Sequence, residues 1–128
     1  MAYLIDTDIL IDYLRDHASA VTSIENNLND LYLSVMNVAE LYQGVRNDKE
    51  RKNLASMLSI FTILPITLEI ATQGGTYSSK YRASHGSGLA DCLIAATVDL
   101  HGLTLRTLNV KHYPMLQEVE VPYKKNHH

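Results

Sequence analysis

Tyr3-Leu4-Ile5 is a short unbroken apolar run that stops at Asp6, and apolar side chains then return at Ile9, Leu10, Tyr13 and Leu14. The first pattern is that of a buried strand and the second that of a helix face, so a strand feeds a helix at Asp6. Val21, Ile24 and Leu28 make a second helical stripe, after which Leu31 to Ser34 reads as another strand leading into a helix through Val38, Leu41, Tyr42 and Val45. Gly44 weakens that helix without forbidding it. The charged run DKERK at 48–52 opens a further helix with Leu54, Met57, Leu58 and Phe61 on one face, and Ile63-Leu64-Pro65-Ile66 reads as a third strand with Pro at its exit.

Residues 67–85 carry a helical stripe through Leu68, Ile70, Ala71, Tyr77 and Tyr81, and the Gly74-Gly75 pair predicts a kink or a break within it. His85-Gly86-Ser87-Gly88 is a loop, and Leu89 to Leu100 is an apolar helix stopped by Gly102. Leu103 to Thr107 gives a fourth strand, and a loop with Asn109 and His112 leads to an edge strand, Val119 to Val121, closed by Pro122. Short strands alternating with helices predict parallel βαβ units and an α/β fold of helix, sheet and helix layers. In such sheets ligands sit beyond the carboxyl ends of the strands, near a switch in strand order.

The 128 residues are one domain's worth, and with 46% hydrophobic and 20% charged side chains the chain has enough apolar material to fold alone. The single cysteine, Cys92, excludes an intramolecular disulfide and a zinc site built on several thiolates, so a reducing cytoplasmic location is expected. MAYLIDTDILIDYL is interrupted by Asp6, Asp8 and Asp12 and lacks a preceding basic residue, which excludes a signal peptide. No stretch approaches the roughly 18 apolar residues of a membrane span. A net charge of −3 sets up no field that attracts nucleic acid, so an RNA partner requires local bases or bound cations. KKNHH is a polar tail of the kind an expression tag leaves, and His127 and His128 are given no site role.

Asp6 stands at the exit of the first strand, Glu40 inside the helix after the second, and Asp91 in the first turn of the helix after the glycine loop. A parallel sheet gathers all three on one edge. Each has a plain structural use: Asp6 or Thr7 caps the first helix, Asn37 with Glu40 fits a capping box, and Asp91 complements a helix dipole. Three carboxylates in one cleft nevertheless repel one another and raise one another's pKa unless a divalent cation compensates them. That implies Mg²⁺ or Mn²⁺, and water bound to such an ion can attack a phosphodiester.

At these residues the chain resembles the PIN-domain ribonucleases, and most closely the VapC-type toxins of bacterial and archaeal toxin–antitoxin pairs. The resemblance rests on four segments in order, LIDTDILIDYL, SVMNVAELYQGV, GLADCLIAATVDLHG and LTLRTLNVKHY, and spans nearly the whole chain. It implies a PIN-like three-layer α/β/α sandwich with a mainly parallel sheet over residues 1–123, with 124–128 as the tail. It further implies a metal-dependent endoribonuclease that acts on RNA, forms homodimers, and is inhibited by a cognate antitoxin lying across the cleft. Asp6, Glu40 and Asp91 match the family's metal-binding acids. Asn109 matches a fourth acidic position, where its amide can accept a water but brings no charge, which points to one well-held cation rather than two. Thr107 matches a hydroxyl position that orients Asp6 or a water, or else is an ordinary strand-end threonine.

Two other readings stand beside this one. LIDTDIL also resembles the first motif of haloacid-dehalogenase-like phosphatases, with Asp6 as nucleophile and Asp8 as acid and base; that family needs a downstream lysine, for which Lys80 and Lys111 are candidates, and a late acidic pair, where GLADCLIA offers only Asp91. The alternative without chemistry is a partner-binding module whose acids only cap helices. Asp8 and Asp12 are otherwise read as facing solvent or supporting the first helix. The histidines at 17, 85, 101 and 112 lack the HxxxH spacing of a zinc helix, and only His112 borders the cleft. Basic side chains such as Arg46, Lys80, Arg106 and Lys111 are read as a solvated surface, with those nearest the cleft placed to contact RNA phosphates. Tyr42, Tyr77 and Tyr81 are read as core or dimer contacts, and Cys92 as inert packing.

Overall fold

Five short strands, β1 (Tyr3–Ile5), β2 (Leu31–Ser34), β3 (Thr62–Leu64), β4 (Thr104–Arg106) and β5 (Val119–Glu120), form one sheet in the computed structural model, which describes residues 1–125. The end of the polar tail, with His127 and His128, lies outside the described residues. Six helices connect the strands: α1 (Thr7–Leu14), α2 (Ala18–Glu25), α3 (Val35–Gln43), α4 (Asp48–Leu58), α5 (Leu68–His85) and α6 (Leu89–His101). The strand order is β3-β2-β1-β4-β5 and every pairing is parallel. This is the PIN-like α/β/α sandwich, with the sheet wholly rather than mainly parallel.

Parallel neighbours need crossovers, and crossover helices cover both faces of the sheet, so the strands are apolar without alternation. Leu4 and Ile5 show the result. Successive side chains on a strand point to opposite faces. Ile5 accordingly packs with Ile9, Leu10, Ile24, Leu33 and Leu54 in one cluster, while Leu4 packs with Ile94, Ala95, Val98 and Leu105 in the other. β3 ends at Leu64, earlier than its apolar run, because Pro65 has no N–H to continue the ladder.

Polar residues fix the helix ends. Asn47 accepts the Glu50 N–H at 2.9 Å and Thr67 the Ile70 N–H at 3.2 Å, and Gly86 and Gly102 close α5 and α6 in the left-handed region at φ 65° and 64°. The start of α3 differs from the expected Asn37–Glu40 box: Ser34 is the cap, its hydroxyl accepting from Met36 N–H at 3.0 Å while Asn37 Oδ1 accepts from Ser34 N–H at 2.8 Å.

The expected break at Gly74-Gly75 does not occur, and α5 runs without interruption. Gly74 serves packing instead. α6 crosses so closely that a Cβ at 74 would stand 2.7 Å from Leu93 Cδ2 and 3.2 Å from Leu93 Cα, whereas a Cβ at 75 meets nothing within 4 Å. The two positions therefore respond oppositely to alanine. Gly75→Ala should stabilise the fold by up to about 1 kcal/mol through helix propensity. Gly74→Ala should cost about 1 to 2 kcal/mol net, because overpacking against the α6 backbone outweighs the same gain. Urea unfolding of the two variants measures both.

Candidate active site

β1 and β4 are neighbours, yet the chain runs from β1 to β2 and β3 on one side before returning to β4 and β5 on the other. Their carboxyl ends therefore flank the crevice at the switch in strand order, where ligands of open α/β sheets bind. Asp6 follows β1 there. Its N–H donates to the Arg106 carbonyl at 3.0 Å, continuing the ladder by one step, and it then caps α1.

The Asp6 side chain is buried, and both of its oxygens are engaged. Oδ1 accepts the Thr7 N–H at 2.8 Å; Oδ2 accepts the Thr107 hydroxyl at 2.7 Å and the Tyr113 hydroxyl at 2.9 Å. Thr107 is itself fully buried and accepts the Asn109 N–H at 3.0 Å, so its proton is directed to Asp6. Burial raises the Asp6 pKa; these hydrogen bonds oppose it, and the charge of Asp91 adds to it.

Glu40 is brought to the same place by a relay. Asn37 Nδ2 donates to Thr7 Oγ1 at 3.0 Å, and Thr7 Oγ1 donates to Glu40 Oε1 at 2.7 Å. The carboxylate is half-buried, and desolvation followed by the charges of Asp6 and Asp91 raises its pKa against the bond from Thr7. Asp91, in the first turn of α6, accepts the Gly88 N–H at 3.3 Å and faces His112 Nδ1 at 3.6 Å, with the Tyr113 hydroxyl 3.4 Å from its other oxygen. The three predicted acids thus gather on one edge. Asp6 and Asp91 do cap their helices, but a single N–H on Asp6 Oδ1 and on Asp91 Oδ2 leaves each of these oxygens a further lone pair for the cleft.

Asn109 is exposed and turns its amide to Asp8, Nδ2 donating to Oδ2 at 3.2 Å. Asp8 is half-buried and supports the first helix, one of its two expected roles: its carboxylate accepts the Ile9 N–H at 2.7 Å and also the Leu108 N–H at 3.0 Å. Asp12 departs further from its expected place, being buried with Lys125 Nζ at 2.6 Å and the Tyr123 hydroxyl at 2.8 Å. Arg106 is likewise buried rather than solvated, stacked 3.7 Å from the Tyr3 ring centroid and paired with Glu120 at 2.9 Å. Lys80 lies over Tyr81, and Cys92 is buried with a thiol pKa raised by burial and Asp91, as inert packing requires. Tyr113, Thr7, Asn37 and Ser87 are the site residues that periodicity did not single out. Only the fold identifies them: Thr7 and Tyr113 by hydroxyls on the acids, Asn37 and Ser87 by the bonds that hold Thr7 and the turn before Tyr113.

Among the described residues no Lys or Arg lies at ion-pair distance from Asp6, Asp8, Glu40 or Asp91. The donor set is all oxygen and its charge is uncompensated, which fits a hard cation such as Mg²⁺ or Mn²⁺. As placed, no three acidic, histidine or cysteine groups among the described residues meet closely enough to ligate one ion directly. The fit is to an ion that keeps part of its water shell, the habit of Mg²⁺.

Comparison with known proteins agrees with this geometry. The PIN domain profile matches residues 3–113. The chain is 40% identical to Ribonuclease VapC10 of Mycobacterium tuberculosis over 123 residues, covering 94% of this chain and 92% of that protein. It is 35% identical to Ribonuclease VapC1 of Rickettsia felis, covering 94% and 95%. A solved toxin–antitoxin complex from Klebsiella pneumoniae contains a chain of the same fold, with a TM-score of 0.82, 28% identity and coverage of 97% and 100%. These likenesses favour the PIN resemblance over the phosphatase one.

Asp8 then has a consequence for stability. Burial, followed by the charge of Asp6, lifts its carboxyl from the ordinary 3.8 to about 6. A raised carboxyl stabilises the fold when protonated; the contribution is fully present below pH about 4 and is lost as pH rises through about 6. Asp8→Asn should therefore exceed the wild type in stability at pH 7.5, by up to about 3 kcal/mol at 1.36 kcal/mol per unit, with the gain vanishing near pH 4. Urea unfolding in chelator at the two pH values reads this, and a gain independent of pH would contradict it.

Proposed function

The chain belongs to the PIN domain family, and from that membership we propose that it is a VapC-type endoribonuclease, the toxin of a toxin–antitoxin pair, hydrolysing RNA with a divalent cation. The observation that carries the reading is the meeting of Asp6, Glu40 and Asp91 at the switch in strand order, with no Lys or Arg among the described residues to balance them. Asp6, Asp91 and Glu40 would hold Mg²⁺ or Mn²⁺. When bound, such a cation would supply charge compensation at the phosphate and a more acidic water.

The rest of the chemistry belongs to the side chains. Thr107 and the Thr7 N–H fix the Asp6 carboxylate from both sides, so its orientation is set before substrate arrives. Asn37 and Thr7 together fix Glu40. Asn109, uncharged and bound to Asp8, acts as a spacer and water acceptor, in keeping with a single cation. A cavity of about 460 Å³ beside Asp8 and Asn109 has Lys124 in its lining, and this cation would meet RNA phosphates flanking the cleft.

A protein partner is supported by a second cavity of about 380 Å³ between α1, α3 and α4. Ile11, Leu14, Leu41, Val45 and Leu54 line it and Glu40 closes one end. An antitoxin segment with apolar anchors there would bring a guanidinium to the acids, since Arg meets carboxylates in a bidentate fork. Leu89 and Leu100, exposed on one face of α6 three turns apart, offer apolar surface for the homodimer. No helix among the described residues is long and apolar enough to cross a membrane, and we assign the protein to the cytoplasm.

Incubation with total RNA tests the activity. Cleavage should require Mg²⁺ or Mn²⁺ and leave 5′-phosphate and 3′-hydroxyl ends; cyclic 2′,3′-phosphates, or cleavage that survives chelator, would make the ribose hydroxyl the nucleophile. Asp6→Asn should remove activity, whereas Asp8→Asn should keep most of it. Loss of phosphomonoester turnover in Asp8→Asn with RNA untouched would instead restore the phosphatase. In cells, expression should slow growth and co-expression of the cognate antitoxin should restore it. Replacing the antitoxin's basic residue should weaken that rescue even where the complex still forms.

A further inference from the structure

Tyr113 follows the 3₁₀ turn Val110–His112, and its ring is buried in the cluster formed by Leu4, Ile94, Ala95, Val98 and Leu105. Packing alone would be served as well by phenylalanine, which fills the same space without bringing a hydroxyl into the core. The hydroxyl has two partners, and both are carboxylates of the candidate site: Asp6 Oδ2 at 2.9 Å and Asp91 Oδ1 at 3.4 Å. Asp6 belongs to the end of β1 and Asp91 to the start of α6, so this oxygen spans two elements that are remote in the chain.

The loop that carries Tyr113 is tied down independently. The Ser87 hydroxyl, fully buried, donates to the His112 carbonyl at 2.8 Å, which fastens the turn before Tyr113 to the loop before α6. The Tyr113 N–H donates to the Val110 carbonyl at 3.0 Å. Ring packing, the turn and the Ser87 tether thus locate the hydroxyl from three directions.

We propose that Tyr113 is a positioning residue whose hydroxyl sets the orientation of Asp6 and its separation from Asp91, so that the two carboxylates are offered to a cation as a prepared pair. The proposal rests on the metal-dependent reading of the site. A phenol has one proton to give, and the shorter contact assigns it to Asp6. With Thr107 on the same Oδ2, this leaves Oδ1 as the oxygen that bears only the Thr7 N–H. The phenol oxygen then stands as a spacer between the two carboxylates, 2.9 Å from Asp6 and 3.4 Å from Asp91. A phenol is protonated at neutral pH, so the hydroxyl is a donor. Groups that orient metal-binding side chains typically change metal affinity or activity by about 10- to 100-fold when removed.

The test is Tyr113→Phe, compared with wild type and Asp6→Asn by calorimetric titration of Mn²⁺ into the purified protein, with cleavage kinetics on a short RNA. Mn²⁺ affinity should fall about tenfold. At fixed subsaturating Mn²⁺, kcat/KM for RNA should fall, and added Mn²⁺ should recover part of the rate. A folded Tyr113→Phe with Mn²⁺ affinity and kcat within about twofold of wild type overturns the proposal and leaves the hydroxyl a satisfied core group. Should that variant not fold, Ser87→Ala loosens the same loop without touching a carboxylate; weaker Mn²⁺ binding supports the proposal, and unchanged binding overturns it. Asp6→Asn separates the two failures. If it binds Mn²⁺ like wild type, or if wild type binds none, the metal reading fails and the role of Tyr113 with it.

Discussion

The buried carboxylate of Asp6 is the constraint around which the rest of this site is arranged. An ionised carboxylate in the interior is costly unless donors meet it, and here an N–H from α1 and hydroxyls from beyond β4 and from the following turn do so. Those donors come from opposite ends of the chain. The fold therefore has to bring β1 beside β4, and the parallel order β3-β2-β1-β4-β5 is what does it. Hydrogen bonds offset the burial without cancelling it: desolvation first, with the charge of Asp91 added, keeps the Asp6 pKa raised. What remains is an unbalanced negative charge in a place where the sheet topology opens a crevice.

Glu40 and Asp91 deepen that imbalance, and local structure explains how they are tolerated. Asp91 is partly satisfied by the N–H of Gly88 at the start of α6, where a helix favours negative charge. Glu40 lacks such help and depends on the hydroxyl of Thr7, which Asn37 holds in place from the first turn of α3. Elsewhere acids are treated differently. Asp12 is as inaccessible to solvent but is paired with Lys125. Among the described residues the two solvent-inaccessible carboxylates therefore differ in counter-charge, Asp12 having a lysine and Asp6 none.

Sequence patterns located these parts unequally. Apolar runs and stops placed every strand to within two residues at either end and put Asp6, Glu40 and Asp91 at strand exits and helix starts, because those positions follow from local periodicity and from parallel connectivity. Pairings that close over long loops left no such trace. Tyr113 meets Asp6 across 107 positions and Lys125 meets Asp12 across 113, and neither side chain carries a local signal of its partner. Gly74 misled for a related reason: helix propensity counts the cost of glycine within one helix, whereas the benefit lies in the neighbouring α6. Arg106 was hidden by the habit of reading arginines as surface, although its stem and plane suit a buried stack on Tyr3.

On the proposed reading, one charge imbalance governs catalysis and inhibition together. RNA is an anion, and a cleft lined by Asp6, Glu40 and Asp91 repels it until a cation lowers the local charge. The cation is then needed for docking as well as for chemistry. A guanidinium supplied by a partner also balances the acids and, being unable to acidify water, gives a neutralised but inactive cleft. Such an inhibitor need not block the whole RNA path, because it competes for the charge that every later step requires. Apolar anchoring in the groove beside Glu40 would add affinity without changing that logic, since the residues lining it lie outside the acid cluster except for Glu40 itself.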